Sequence, residues 1–188
     1  MLSIATRQAV QQKLLDAAGL ASSEASQEGL FKLPATSVNE AWITSFAMIQ
    51  LNDLLRQHHK QQRALFVTCE TTVDYLDCVF DRSDEHWITL ASRFDLVLWD
   101  EIWPFAVTEI KHSRHMNRWD LSRDAEKISG AMSRWPQLTD GYFLFSSSRD
   151  EDMRTDEFDE IVRAEGFRTD WKQRKSGDLF WYCARTYR

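Results

Sequence analysis

Two carboxylates and a lysine pose the first chemical question. Asp95, Glu109 and Lys111 all lie in one stretch, RFDLVLWDEIWPFAVTEIK, residues 93–111. Arg93–Trp99 and Phe105–Lys111 read as strands from their β-branched and aromatic content. Asp100–Pro104 is the connection, since Pro104 cannot donate to a ladder. Centring that turn on Ile102 sets Trp99 opposite Phe105, Val97 opposite Val107 and Asp95 opposite Glu109. Period-two alternation then puts Glu109, Lys111 and Asp95 on one face and Ile110 on the other. Two carboxylates paired across a ribbon stand about 5 Å apart and repel. Phe94, Leu96 and Leu98 are expected to fill one face, and Val97, Trp99 and Val107 the other, so water would not screen the repulsion fully. A divalent cation between the acids resolves it. Mg²⁺ takes oxygen ligands, usually one or two carboxylates with waters and phosphate oxygens. Lys111 adds a cation that can bind phosphate, or orient or help deprotonate an attacking water. Such a set suits phosphodiester hydrolysis, with the metal as Lewis acid and activator of water.

The elements that must position these groups follow from periodicity and punctuation. Residues 3–18 read as a helix stopped by Gly19, and 19–36 as a loop. A second helix begins near Ser37, where Ser37 and Glu40 form a capping box, and carries an apolar stripe from Ile43 to Leu55. Ala64–Cys69 reads as a strand. Residues 70–92 fit helix or extended chain, with a loop at Asp81–Glu85. After a polar loop at 112–119, a helix over about 120–135 turns Leu121, Ala125, Ile128, Met132 and Trp135 inward. Gly141–Ser147 reads as a strand, 151–165 as an acidic helix ended by Gly166, and Leu179–Tyr187 as a last strand. The expected organisation is an N-terminal helix and loop, 1–36, appended to one domain, 37–188.

The order of elements and the spacing Asp95 … Glu109-Ile110-Lys111 resemble the PD-(D/E)XK nuclease superfamily over residues 37–147. The resemblance implies an α/β fold with a central mixed sheet flanked by helices, restriction-endonuclease-like. It implies that Asp95 and Glu109 bind Mg²⁺, with Mn²⁺ as a substitute, that the Ile110 carbonyl joins them, and that Lys111 assists catalysis. Glu40 on the first core helix matches the position of a further acidic residue; its capping-box role is an independent explanation, and Glu70 is a rival. The activity implied is metal-dependent (endo)nuclease cleavage of nucleic acid, DNA ahead of RNA. Phe94 stands where the family has its eponymous proline. A second acidic-x-Lys triplet, Asp170-Trp171-Lys172, has no Asp-bearing strand to oppose it.

Charge neither requires nor forbids such a substrate. The 188 residues carry a net charge of −6, with the acid concentrated in 150–165 and basic excess in 111–134 and 166–188. Arg114, Arg118 and Arg123, with His112 and His115, are candidates for phosphate contacts. Asp124 and Lys127 read as a solvated helix face, although they also resemble polar positions that some members of that superfamily aim at the site. Zinc is rejected because the histidines lack two further ligands, and no P-loop, G-x-G-x-x-G or G-x-S-x-G is present. Three cysteines without a C-x-x-C fit a reducing cytoplasm, and no apolar run is long enough to span a bilayer. The rival reading is a nuclease-like scaffold without activity, a binding module or complex subunit, for which the acidic helix offers a surface to a protein partner or a second copy.

Overall fold

The computed structural model describes residues 4–26, 40–58, 65–80, 93–112, 118–148 and 154–188. The elements run α1 (Ile4–Ser26), α2 (Glu40–His58), β1 (Leu65–Thr72), α3 (Val73–Val79), β2 (Arg93–Asp100), β3 (Trp103–Lys111) and α4 (Arg118–Arg134). They continue with β4 (Asp140–Ser147), α5 (Arg154–Ala164), β5 (Arg168–Ser176) and β6 (Leu179–Tyr187). The strands form one mixed sheet ordered β1-β2-β3-β4-β6-β5. Only β3 and β4 pair in parallel, and α4 supplies the crossover that parallel neighbours require.

Helices cover both faces. Leu14, Leu51 and Leu55 from α1 and α2 pack with Leu96, Ile110 and Leu144 of the sheet. Leu121, Ile128 and Phe158 from α4 and α5 pack with Val107, Phe143 and Phe145 on the opposite face. The central strands are thus buried on both sides, and β4 carries no exposed residue from end to end. Gly141 permits the closest approach: a Cβ there would stand 2.3 Å from Ile128 Cγ2, so α4 lies directly on β4. Among the described residues no helix is long and apolar enough to cross a membrane.

Several expectations are corrected. The first helix does not stop at Gly19 but runs on to Ser26. Gly19 serves close packing, since a Cβ would meet the Arg174 guanidinium of β5 at 2.9 Å. The same helix is tied to the far edge of the sheet, where the Gln11 side-chain amide donates to the carbonyls of Asp170, 2.9 Å, and Cys183, 2.6 Å. The hairpin turn is shorter than expected, Glu101–Ile102, with Glu101 in the left-handed region at φ +60°. Pro104 lies inside β3, and the register slips there: Leu98 pairs with Ala106 but Trp99 pairs with Pro104, not Phe105. The extra residue, Phe105, is a bulge, the place where a strand tolerates a missing N–H. β5 was not foreseen, because RTDWKQRKS has no apolar alternation. It is an edge strand whose exposed Arg and Lys side chains discourage further pairing. Ser37, the proposed capping residue, and the 81–85 loop lie outside the described residues.

Candidate functional site

Asp95 sits at an irregularity shared by two strands. In the β1–β2 register Glu70 falls opposite Asp95, and Glu70 adopts φ +54°, rare for a residue with a side chain. The alternation of faces shifts by one on both strands at this point. On β1, Thr68 and Thr71 come to the same side, their hydroxyls 2.7 Å apart. On β2, Phe94 joins Val97 and Trp99 in the core beneath α3–α5, while Leu96 and Leu98 face α1 and α2. The expectation that Phe94 shares a face with Leu96 and Leu98 is therefore corrected; this local kink is the reason.

The kink turns Asp95 toward β3. Regular pairing of β2 with β3 ends at Leu96–Thr108, and one rung further the same register sets Asp95 against Glu109. There the Asp95 side chain replaces the backbone as acceptor: the Ile110 N–H donates to Asp95 Oδ2 at 2.6 Å. Within a strand the N–H and C=O of one residue point to the same side, so the Ile110 carbonyl is directed at the same gap.

Glu109 and Lys111 both face α4, and Ile110 faces the α1–α2 core, as alternation requires. Glu109 is 2% exposed. Lys127 Nζ donates to Glu109 Oε1 and to the Arg93 carbonyl, each at 2.5 Å, and lies 4.7 Å from the centre of the Phe94 ring. Lys111 Nζ is 3.8 Å from Asp124 Oδ2, one turn earlier on α4. The two lysines differ in access: the Lys127 side chain is 13% exposed and that of Lys111 25%.

Burial raises the proton affinity of the Asp95 carboxyl, against the pull of the Ile110 N–H, Lys111 and Lys127; the Glu40 charge raises it further. Burial pushes Glu109 up to about 8, opposed by Lys127 and reinforced by Asp95 and Asp124. For Lys111, burial works to release the proton, but Asp124, Glu109, Glu40 and Asp95 outweigh it and hold the ammonium more firmly than usual. Lys111 is a standing cation at neutral pH, a donor rather than a base.

Glu40 reaches the end of β3 from the α2 side, where its Oε1 accepts the His112 N–H at 3.2 Å. Its charge is felt by Asp95 and Lys111. It does not gather with them as a third ligand: among the described residues no three His, Cys, Asp or Glu side chains form a group that could hold a metal ion. Glu70 is ion-paired with Arg93. The His112 ring is buried edge-on against Trp181, 5.9 Å between centres, so it faces the α1–α2 core and not a phosphate-bearing surface. Arg114 and His115 lie outside the described residues. Of Arg118 only the backbone, opening α4, is described, and Arg123 is exposed on α4. Asp170 approaches Arg185 at 3.6 Å and Lys172 donates to the Gln8 carbonyl at 3.3 Å, so the second acidic-x-Lys triplet is part of the scaffold.

Asp124 and Lys127 were expected to be solvated, and the structure makes them the inner partners of Lys111 and Glu109. Their signal was present: each directly precedes an inward residue, Ala125 or Ile128, on a helix that follows the Glu-x-Lys strand.

Four carboxylates (Glu40, Asp95, Glu109, Asp124) surround two ammonium groups (Lys111, Lys127), leaving two negative charges uncompensated when all are ionised. Hydrogen bonds among the described residues engage Asp95 Oδ2 and Glu109 Oε1 only, so Asp95 Oδ1 and Glu109 Oε2 remain as donors to a cation. Two carboxylate oxygens, with a carbonyl directed at the same gap, suit a hard, hydrated dication such as Mg²⁺. The chain matches no protein-family model, no curated protein and no solved structure.

Proposed function

We propose that this protein is a Mg²⁺-dependent nuclease of restriction-endonuclease-like fold that hydrolyses phosphodiester bonds in nucleic acid, with DNA as the preferred substrate. The observation that carries the proposal is the pair Asp95–Glu109 at the open end of the β2–β3 ladder. Both acids have raised proton affinity, each keeps one oxygen unengaged, and the cationic Lys111 stands beside them. Burying two acids side by side is costly, and that cost is understandable if a dication is their working partner.

Asp95, Glu109 and the Ile110 carbonyl would hold the ion, whose contribution is Lewis acidity and a more acidic bound water. Lys111, kept protonated by four surrounding carboxylates, donates to a phosphate oxygen and stabilises the charge that develops there. Asp124 limits the wandering of Lys111, and Lys127 fixes the Glu109 carboxylate. The site lies at the C-terminal end of β3, beside its parallel neighbour β4 and ahead of α4, a usual position for ligands in α/β sheets. The exposed Arg123 on α4 would contribute contacts to flanking phosphates, a contribution that weakens with salt.

One observation favours the rival reading, a scaffold without activity. Lys127 already neutralises Glu109 from within the protein. Incubation with plasmid and single-stranded DNA in Mg²⁺ or Mn²⁺ decides between them. Cleavage by the wild type that is lost in Asp95→Ala and Lys111→Ala supports the nuclease. No cleavage, or cleavage that persists in both variants, removes it.

A further inference from the structure

Granting the metal site just proposed, we infer that Lys127 is a specificity-determining residue that makes the site select a small octahedral dication over Ca²⁺. The two acids offer a dication few oxygens. Asp95 Oδ2 is held by the Ile110 N–H at 2.6 Å, which leaves Asp95 a single free oxygen. Glu109 Oε1 is held by Lys127 Nζ at 2.5 Å, which leaves Glu109 a single free oxygen.

Lys127 is not a casual partner. Its ammonium is anchored a second time on the Arg93 carbonyl at 2.5 Å and a third time over the Phe94 ring at 4.7 Å. The Glu109 side chain is 2% exposed and cannot swing into water without opening the packing between α4 and β3, and the half-buried Lys127 is held by its three contacts. A dication chelated by both Glu109 oxygens would sit against the Lys127 ammonium, so bidentate binding by Glu109 is opposed, whereas Asp95 Oδ2 keeps a lone pair beside its N–H bond. Glu40 Oε1 accepts the His112 N–H, and no third carboxylate converges with Asp95 and Glu109 among the described residues. Ca²⁺ seeks six to eight oxygens and uses bidentate carboxylates readily. Mg²⁺ and Mn²⁺ accept one or two monodentate carboxylates and fill the remaining octahedral positions with water. A fixed, oxygen-poor site penalises Ca²⁺ and costs the smaller ions little.

The test uses the full chain without nucleic acid. Mn²⁺ binding is followed by the electron-spin-resonance signal of free Mn²⁺, with Ca²⁺ or Mg²⁺ as competitor, in the wild type, Lys127→Met and Lys127→Arg. Comparing two dications removes effects common to both, such as net charge and carboxyl protonation. The wild type should bind Ca²⁺ at least about tenfold more weakly than Mn²⁺. Lys127→Met frees Glu109 Oε1 and should narrow that ratio at least about fivefold, whereas Lys127→Arg keeps the ion pair and leaves it unchanged. A purely structural role for Lys127 would weaken both ions together and leave the ratio alone. The inference is overturned if Ca²⁺ displaces Mn²⁺ from the wild type at equal concentration, or if a folded Lys127→Met keeps the wild-type ratio. Should Lys127→Met not fold, Lys127→Gln, which removes the charge and keeps a polar side chain, is measured in its place and must narrow the ratio in the same way. Absence of any Mn²⁺ binding to the wild type is a different failure: it removes the metal site itself, and this inference with it.

Discussion

Replacing Glu109 by glutamine should abolish most of a steep loss of stability with rising pH. Glu109 is almost fully buried, and its carboxyl is pushed from 4.5 up to about 8. Between those values the folded chain keeps a proton that the unfolded chain has released. Stability therefore falls as pH rises, and the contribution is fully present only below the unfolded value. At about 1.4 kcal/mol for each pH unit, the span sets a ceiling of about 5 kcal/mol. The Lys127 contact favours the ionised form and already offsets part of the burial within that value, so about 5 kcal/mol is the most that can be lost. Asp95, also raised, adds in the same direction. Urea unfolding at pH 5, 6, 7 and 8 in a chelating buffer reads this as a falling midpoint. Glu109→Gln should flatten the profile and be the more stable protein at pH 8. A wild-type profile that is flat or rising, or one that Glu109→Gln follows in parallel, refutes the reasoning.

Lys111→Met should lower kcat about 10²–10³-fold while changing Mn²⁺ affinity little, since Lys111 is assigned to the phosphate and not to the metal; steady-state cleavage and Mn²⁺ titration together check it. Gly141→Ala would drive a methyl into Ile128 Cγ2, 2.3 Å away, and should cost about 1–3 kcal/mol in urea unfolding while weakening Mn²⁺ binding, because α4 carries both Asp124 and Lys127. Asp140 is fully buried and pairs with Arg185 at 2.7 Å and Arg7 at 3.3 Å, joining α1 to the sheet. Asp140→Ala takes the buried carboxylate from both guanidinium groups, leaving Arg185 the longer Asp170 contact at 3.6 Å, and should cost about 3–5 kcal/mol, of which Asp140→Ala with Arg185→Met recovers part.

The hairpin was legible because its signals are local. Alternating large apolar residues give both strands; the Val97–Val107 pairing is as expected, but the Phe105 bulge produces it, not the five-residue turn. The departures have physical causes that a single strand cannot reveal. The slip at Pro104 depends on which N–H the ladder needs, and the face reversal at Phe94 depends on Glu70, on another strand. β5 went unseen because an edge strand needs no apolar period. At the site, Glu109 and Lys111 are readable as neighbours on one face, while Asp124 and Lys127 fit a solvated face better than an inward one on sequence alone. Their position beside the inward stripe of α4 was visible. What they meet was not, because it is set by the crossover from β3 to β4. Glu40 illustrates the opposite limit: its helix was foreseen, but only the fold reveals that its carboxylate accepts from the chain just beyond β3.

The most direct test of the account is a crystal soaked in Mn²⁺ and measured at a wavelength where manganese scatters anomalously. One anomalous peak per chain is expected, coordinated by Asp95 Oδ1 and Glu109 Oε2, with Lys127 still on Glu109 Oε1. A peak elsewhere, or none with both carboxylates ordered, contradicts it.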